Sequence, residues 1–448
     1  MLLLSCPNRC PMLHEPPGGA TLGPMPVPDQ TRDEKKSLFQ LKPPSRRALC
    51  AALWIFCGSA AGLCLAQNIL PDWEEGHDRP NRWQLVGTNG GRVPTLKSGS
   101  ALMVQGNGRD QVFWRTPGLA LKPGSVYRLS FFLQGEGVAG EGVAFAGLSR
   151  VNRDFVPAGS GQRYGFVLCV PDDGTNDFVR LGEWHVKGNI AFAQAQLLPV
   201  VAIHKQIARD AELGEGESIE GGVYRFTPMY SSPAGNYHRP LLANRASFNT
   251  DRWTFSSGEQ IIYRLGPGGS AQVEGKVQAY IKYSAGGSLH VDASRDGADW
   301  VSIAVFDNQR PGGWSDLPER LFPADWIFIR LSCHGTNANL QVNPFAYESR
   351  LAKSLPDAEG ETYFLEVRRS SPEVAISLRD VQRPVQDGRW RLEWTTTNLT
   401  QSPLAVQAAV GLDPVSFAQI QTQKLSASPA RIGNCHVPRA IQAIMISR

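Results

Sequence analysis

From Gln67 onward the chain alternates apolar and polar residues in runs of four to eight. The runs are rich in Val, Tyr, Phe and Trp and are separated by Gly, Pro, Asn and Asp. That period of two predicts β-strands, because successive side chains on an extended backbone point to opposite faces. Val126 to Leu133 carries the pattern: Tyr127, Leu129 and Phe131 fall on one face, Arg128, Ser130 and Phe132 on the other. Long amphipathic helical stretches are missing, and only Ile203 to Leu213 predicts a short helix. Many short strands at regular spacing predict an all-β protein of tandem β-sandwiches.

Breaks in the pattern divide the chain. Residues 1–44 mix Pro, Gly and charge without apolar periodicity, which predicts a disordered leader. Arg46 and Arg47 then precede the apolar run Ala48 to Leu65, which ends in small residues before Gln67. A basic flank, an apolar core and small residues at the cleavage positions predict a signal peptide over 45–66, and with it a secreted or periplasmic protein. A single membrane anchor is the alternative reading of the same run. The first folded unit is expected over 67–205, a linker over 206–221, a second unit over 222–350 and a second linker over 351–361. A third, immunoglobulin-like but partial sandwich is expected over 362–425, with a tail over 426–448 that contains no acidic residue.

Charge and cysteine change the picture little. The first 66 residues hold seven of the 45 Lys and Arg and four of the 41 Asp and Glu, so the remainder is almost balanced. A balanced chain offers no broad basic field for nucleic acid or for an anionic membrane. Five of the eight cysteines lie in the leader and signal; Cys169, Cys333 and Cys435 are odd in number and widely spaced. They imply neither a disulfide framework nor a structural zinc site.

Two segments carry resemblances. Asn68-Ile-Leu-Pro-Asp-Trp-Glu-Glu-Gly, with Trp83 downstream and the late strands Leu181 to Phe192 and Leu197 to Val200, resembles jelly-roll carbohydrate-binding modules of secreted bacterial polysaccharide-degrading enzymes. In the second unit, Ser294-Arg-Asp-Gly followed by Trp300 and the strand Ile327-Phe-Ile-Arg-Leu331 is similar to discoidin-like galactose-binding sandwiches. The resemblance implies non-catalytic attachment to a polysaccharide or glycan, with aromatic rings covering the apolar faces of sugars. The candidate carbohydrate contacts are Trp83, Trp114, Arg128, Phe132 and Trp184 in the first unit. Trp314, in the loop Arg310-Pro-Gly-Gly-Trp-Ser-Asp316, is the candidate in the second. The resemblance also implies a structural Ca²⁺ near the domain start, for which Glu74 and Glu75 stand in place. The later acidic partner is replaced by Ala193-Gln194-Ala195, which withdraws a carboxylate from that site.

No catalytic pattern competes. No local motif marks a pair of carboxylates for glycoside hydrolysis, the histidines are scattered without HExxH spacing, and no Gly-x-Ser-x-Gly elbow occurs. Gly106-Asn-Gly108 and Gly266-Pro-Gly-Gly269 lack the strand–helix context of a phosphate loop and read as turns. Two further readings stay open. The chain could be the accessory part of a longer glycoside hydrolase or lyase, or an extracellular structural or adhesion scaffold that binds protein.

Overall fold

A computed structural model describes residues 69–70, 83–95, 99–139, 142–174 and 176–369, together with the strands at 374–382, 390–398, 404–411, 417–425 and 433–437. The leader, the signal peptide, Glu74 and Glu75 lie outside the described residues. The described chain is all-β, with one short 3₁₀ turn at Glu319–Leu321.

Its centre is a sheet of 13 strands. In chain order these are β1 (Gln84–Val86), β2 (Gln111–Arg115), β3 (Val143–Leu148), β4 (Val151–Phe155) and β5 (Val179–Trp184). Then come β6 (Glu217–Glu220), β7 (Val223–Phe226), β8 (Ser247–Asn249), β9 (Arg252–Ser256) and β10 (Gln272–Ser284). The last three are β11 (Gly312–Asp316), β12 (Asn339–Leu351) and β13 (Ala358–Glu359). Across the sheet the order is β1-β2-β5-β3-β4-β8-β9-β12-β7-β6-β13, with β10 on the other edge of β12 and β11 beyond β10.

Two five-stranded sheets pair with it to make the sandwiches. One is ordered Gly90–Thr95, Gly99–Asn107, Lys187–Pro199, Val126–Ala139, Gln162–Cys169. The other is ordered Leu241–Asn244, Gln260–Leu265, Ile327–His334, Ser288–Ser294, Val301–Phe306. Both halves share a single apolar core. Phe131, Phe166, Phe192 and Leu181 of the first half belong to the same buried cluster as Trp253, Phe255, Tyr263 and Phe345 of the second.

The halves are therefore not beads on a string. Strand β4 pairs in parallel with β8, Val151 opposite Phe248 and Asn152 opposite Asn249, so the large sheet runs unbroken from one sandwich into the other. Arg150 fastens the joint: its guanidinium donates to Asp173 at 2.7 Å, to Glu259 at 2.8 Å and to the Arg245 carbonyl at 2.8 Å. Asn236 closes a second tie, accepting from the Cys169 amide at 3.0 Å and donating to the Cys169 carbonyl at 2.9 Å.

Three local expectations are corrected. Ile203 to Leu213 is not helical: Val201–Ala208 and Ala211–Leu213 are antiparallel strands, and the first of them also pairs with Thr362–Arg369. The stretch 206–221 is not a loose connector, because Ala211, Leu213 and Ile219 are buried and β6 pairs with β7 and β13. Alternate burial of a few apolar side chains is enough to hold a short strand even where Gly and charge dominate. The stretch 351–361 likewise contributes β13. Strands from Thr362 onward complete one further antiparallel sheet with Val201–Ala208 and Ala211–Leu213, and form another that includes Gly433–Val437 from the expected tail.

Candidate functional site

The large sheet has one buried and one outer face, and the register says which residue lies on which. Leu181, Ala146, Val151, Phe248, Trp253, Val342 and Ile281 point inward and are buried. The residues between them point outward. Trp184 is paired with Val143, Arg180 with Gly147, Gly147 with Asn152, Asn152 with Asn249, Asn249 with Arg252, Thr254 with Gln341, and Gln341 with Tyr283. Directly opposed residues in a ladder share a face, so this outer face is continuous across both sandwiches.

At its far edge, β10 and β11 carry a strip of exposed rings. Gln278 stands opposite Trp314, and Tyr280 opposite Gly312. A Cβ at Gly312 would meet the Ala279 carbonyl oxygen at 2.4 Å and the Tyr280 ring at 2.5 Å, so glycine lets the two strands approach there. Tyr280 and Tyr283 are three residues apart and would ordinarily face opposite ways. Register shifts between Ala279 and Tyr283 bring both to the outer face. Trp314 is 40% exposed, Tyr280 41% and Tyr283 52%. Along the paired strand, Ala346 opposite Gln278 and Gln341 opposite Tyr283 are five positions apart, which sets the strip at roughly 17 Å.

The polar rim is ordered by ion pairs. The Lys276 ammonium sits 4.5 Å from the Trp314 ring centroid and 3.1 Å from a Glu348 carboxylate oxygen, so the indole has a fixed neighbour. At the other end Asp251 receives Arg252 at 2.5 Å and Lys282 at 3.3 Å. Burial opposes ionisation of Asp251, but Arg252 and Lys282 outweigh it and hold the carboxyl below its ordinary range. The charges on this face are thus largely neutralised in place. Gln278, Gln341 and Asn343 supply amides between them.

A second exposed ring stands at the opposite end of the same face. Trp184 closes β5, is 50% exposed, and stacks on the His185 ring at 4.0 Å between centroids and 19° between planes. His185 adopts φ of +57°, a left-handed conformation uncommon for a residue with a Cβ. Its amide donates to the Asp110 carbonyl at 3.2 Å. Beneath them Glu183 points inward and is wholly buried; one carboxylate oxygen accepts from the Val186 amide at 2.8 Å, and burial raises its pKa.

The other sequence candidates are placed elsewhere. Trp83 and Trp114 are core residues, the Trp114 indole donating to the Met103 carbonyl at 2.9 Å. Arg128 is buried as well. It lies opposite Val167, on a face covered by Ala234 and Phe364. Phe132 is half-buried on the smaller sheet of the first half. Buried as they are, Trp83, Trp114 and Arg128 cannot offer a flat exposed platform. Among the described residues no group of three or more His, Cys, Asp or Glu is placed to hold a metal ion. Tyr280 and Tyr283 escaped the sequence reading, although Lys276-x-Gln278-x-Tyr280 alternates against Val277, Ala279 and Ile281 as an exposed strand face should.

No protein-family profile matches the chain, and no curated protein matches it significantly. Among solved structures it is similar to the N-terminal CBM22-1–CBM22-2 tandem domain of Paenibacillus barcinonensis Xyn10C. The identity is 10% and the TM-score 0.28, over 64% of this chain and 98% of that one. The enzymatically active domain of bacteriophage CBA120 tailspike protein 4 is similar over 30% of this chain and 21% of its own, at 14% identity and a TM-score of 0.24. A structure of the Gx strain of infectious bursal disease virus follows at 14% identity and a TM-score of 0.18, covering 66% and 78%. TM-scores of this size carry nothing about function.

Proposed function

We propose that this chain is an exported, non-catalytic protein that attaches to a polysaccharide through the outer face of its large sheet. The observation that supports the reading is the strip Trp314, Tyr280 and Tyr283: three large rings on one face, each about half exposed. Leaving such rings in water forgoes the free energy of burying them, and exposed aromatic patches mark binding surfaces. A pyranose offers an apolar C–H face to each ring and a rim of hydroxyls to the amides of Gln278 and Gln341.

The pairing of Lys276 with Glu348 and of Lys282 with Asp251 favours an uncharged sugar. An anionic glycan would have to compete with carboxylates already in contact with those ammonium groups. The rings therefore supply the affinity and the amides the orientation.

The test is a glycan array probed with the full chain and with a Trp314→Ala variant. Saturable retention on a neutral polysaccharide, lost in the variant, is expected. A folded wild-type protein that retains no glycan overturns the reading and leaves the strip as a surface for a protein partner.

A further inference from the structure

Trp184 and the strip at Trp314 belong to different sandwiches, yet they stand on one sheet face. The link is made step by step by same-face partners. Trp184 and Arg180 lie on β5, Val143 and Gly147 on β3, Asn152 on β4, Asn249 on β8, Arg252 and Thr254 on β9, Gln341 on β12 and Tyr283 on β10. The parallel joint between β4 and β8 does not reverse the face, because the Asn152 side-chain amide donates to the Asn249 side-chain carbonyl at 3.0 Å. From β5 to β10 there are six strand steps, which span roughly 29 Å at the spacing of a hydrogen-bonded sheet.

Between the two aromatic ends the face carries the covered ring of Phe145 and a run of polar side chains. Arg180 donates to Asn152 at 3.1 Å while its guanidinium stacks over Phe145 at 5.4 Å. Asn249 then accepts both from Asn152 and from the Thr250 hydroxyl. The face thus has an exposed aromatic platform at each end and, between them, hydrogen-bonding side chains with Arg180 lying over the covered Phe145 ring. Shared core and continuous ladder hold the two ends at a fixed separation.

We infer that Trp184 and the Trp314 strip are two ends of one track, occupied together by a single long polysaccharide chain that crosses both sandwiches. The inference rests on the glycan-binding reading and adds to it the class of ligand: a polymer longer than the track, in preference to a short oligosaccharide. Two contact regions on a rigid body cost the ligand little extra ordering once the first is engaged, so the second raises affinity without a second encounter.

The experiment uses the full chain and two size fractions hydrolysed from the polysaccharide best retained on the array. One fraction is shorter than the strip at Trp314 and the other is longer than the whole track. Calorimetric titration is expected to give one long chain per protein. Trp184→Ala is expected to weaken the long fraction about tenfold or more while leaving the short fraction unchanged. A Trp184→Tyr variant, which keeps a stacking ring, recovers most of the loss and excludes a folding defect. Unchanged binding of the long fraction by Trp184→Ala, or two long chains per protein, overturns the single track but leaves glycan binding standing. Failure of the folded wild-type chain to bind either fraction overturns both.

Discussion

The side-chain amide of Asn152 donates to the side-chain carbonyl of Asn249 at 3.0 Å, and this bond crosses from one sandwich into the other. It lies over the parallel pairing of β4 with β8, beside the contacts of Arg150 with Asp173 and Glu259. A joint built from ladder, side chains and shared core makes the halves one cooperative unit. Scanning calorimetry of the chain is expected to show residues of both halves unfolding in one transition. Arg150→Ala is expected to lower its midpoint, with a cost of about 1–3 kcal/mol from partners left unpaired. Two separable transitions, one for each half, would contradict the joint.

Glu217 is wholly buried, with its side chain against Arg239. Its carboxylate takes two hydrogen bonds from Arg239, one from the Tyr224 hydroxyl at 2.5 Å and one from the Gly214 amide at 2.7 Å. Removing the cation strands the carboxylate in the core. Arg239→Met is expected to destabilise by about 3–5 kcal/mol in urea titration. The double variant Arg239→Met with Glu217→Leu is expected to recover much of the loss. A single variant as stable as the wild type would show that the pair is not coupled as the distances imply.

His238 gives a pH dependence with a definite sign. Its ring is buried between Phe226 and Tyr230, both nitrogens lack hydrogen-bond partners, and burial lowers its pKa to about 3. The unfolded residue takes up a proton as the pH falls through the ordinary range near 6.5. The unfolded state then binds more protons than the folded one, so stability is lost on acidification from that point downward. Between pH 7 and pH 5 the loss from this residue is about 2 kcal/mol. His238→Phe is expected to remove that component of the slope, and a slope unchanged in the variant would refute the assignment.

Much of this architecture is legible in the sequence, and the rest is missing for physical reasons. Period-two alternation reveals strands and sandwiches because side-chain direction is local. It does not reveal which face is covered. Arg128 alternates away from Tyr127, Leu129 and Phe131 as an exposed residue would, yet Ala234 and Phe364 from distant segments close over its side of the sheet. Trp83 and Trp114 fail as surface candidates for the same reason, whereas Trp314 in a Gly-rich segment and Trp184 before a left-handed residue stay outside. Tyr283 was hidden by the irregular ladder after Ala279, which breaks the parity that pattern reading depends on. The short strands β6 and Ala211–Leu213 hold only one or two apolar anchors each, too few to stand out from a connector.

Ionic strength separates an uncharged ligand from a charged one. With Lys276 engaged by Glu348 and Lys282 by Asp251, few cations on the strip remain for a uronate or sulfate group. Affinity for the neutral polysaccharide is expected to change by less than about twofold between low and high salt. A polyuronate is expected to bind far more weakly. Tight polyuronate binding that collapses in salt would reverse the assignment of ligand charge.

The most direct test of glycan attachment is the affinity of a triple variant, Trp314→Ala, Tyr280→Ala and Tyr283→Ala, for the best array polysaccharide, with the thermal midpoint followed in parallel. All three side chains stand on the outer face, so the midpoint is expected to move little. If each stacked ring contributes about 1.4 kcal/mol, affinity falls by about a thousandfold and binding is lost to calorimetry. A triple variant that folds and binds the polysaccharide as tightly as the wild type would contradict the account.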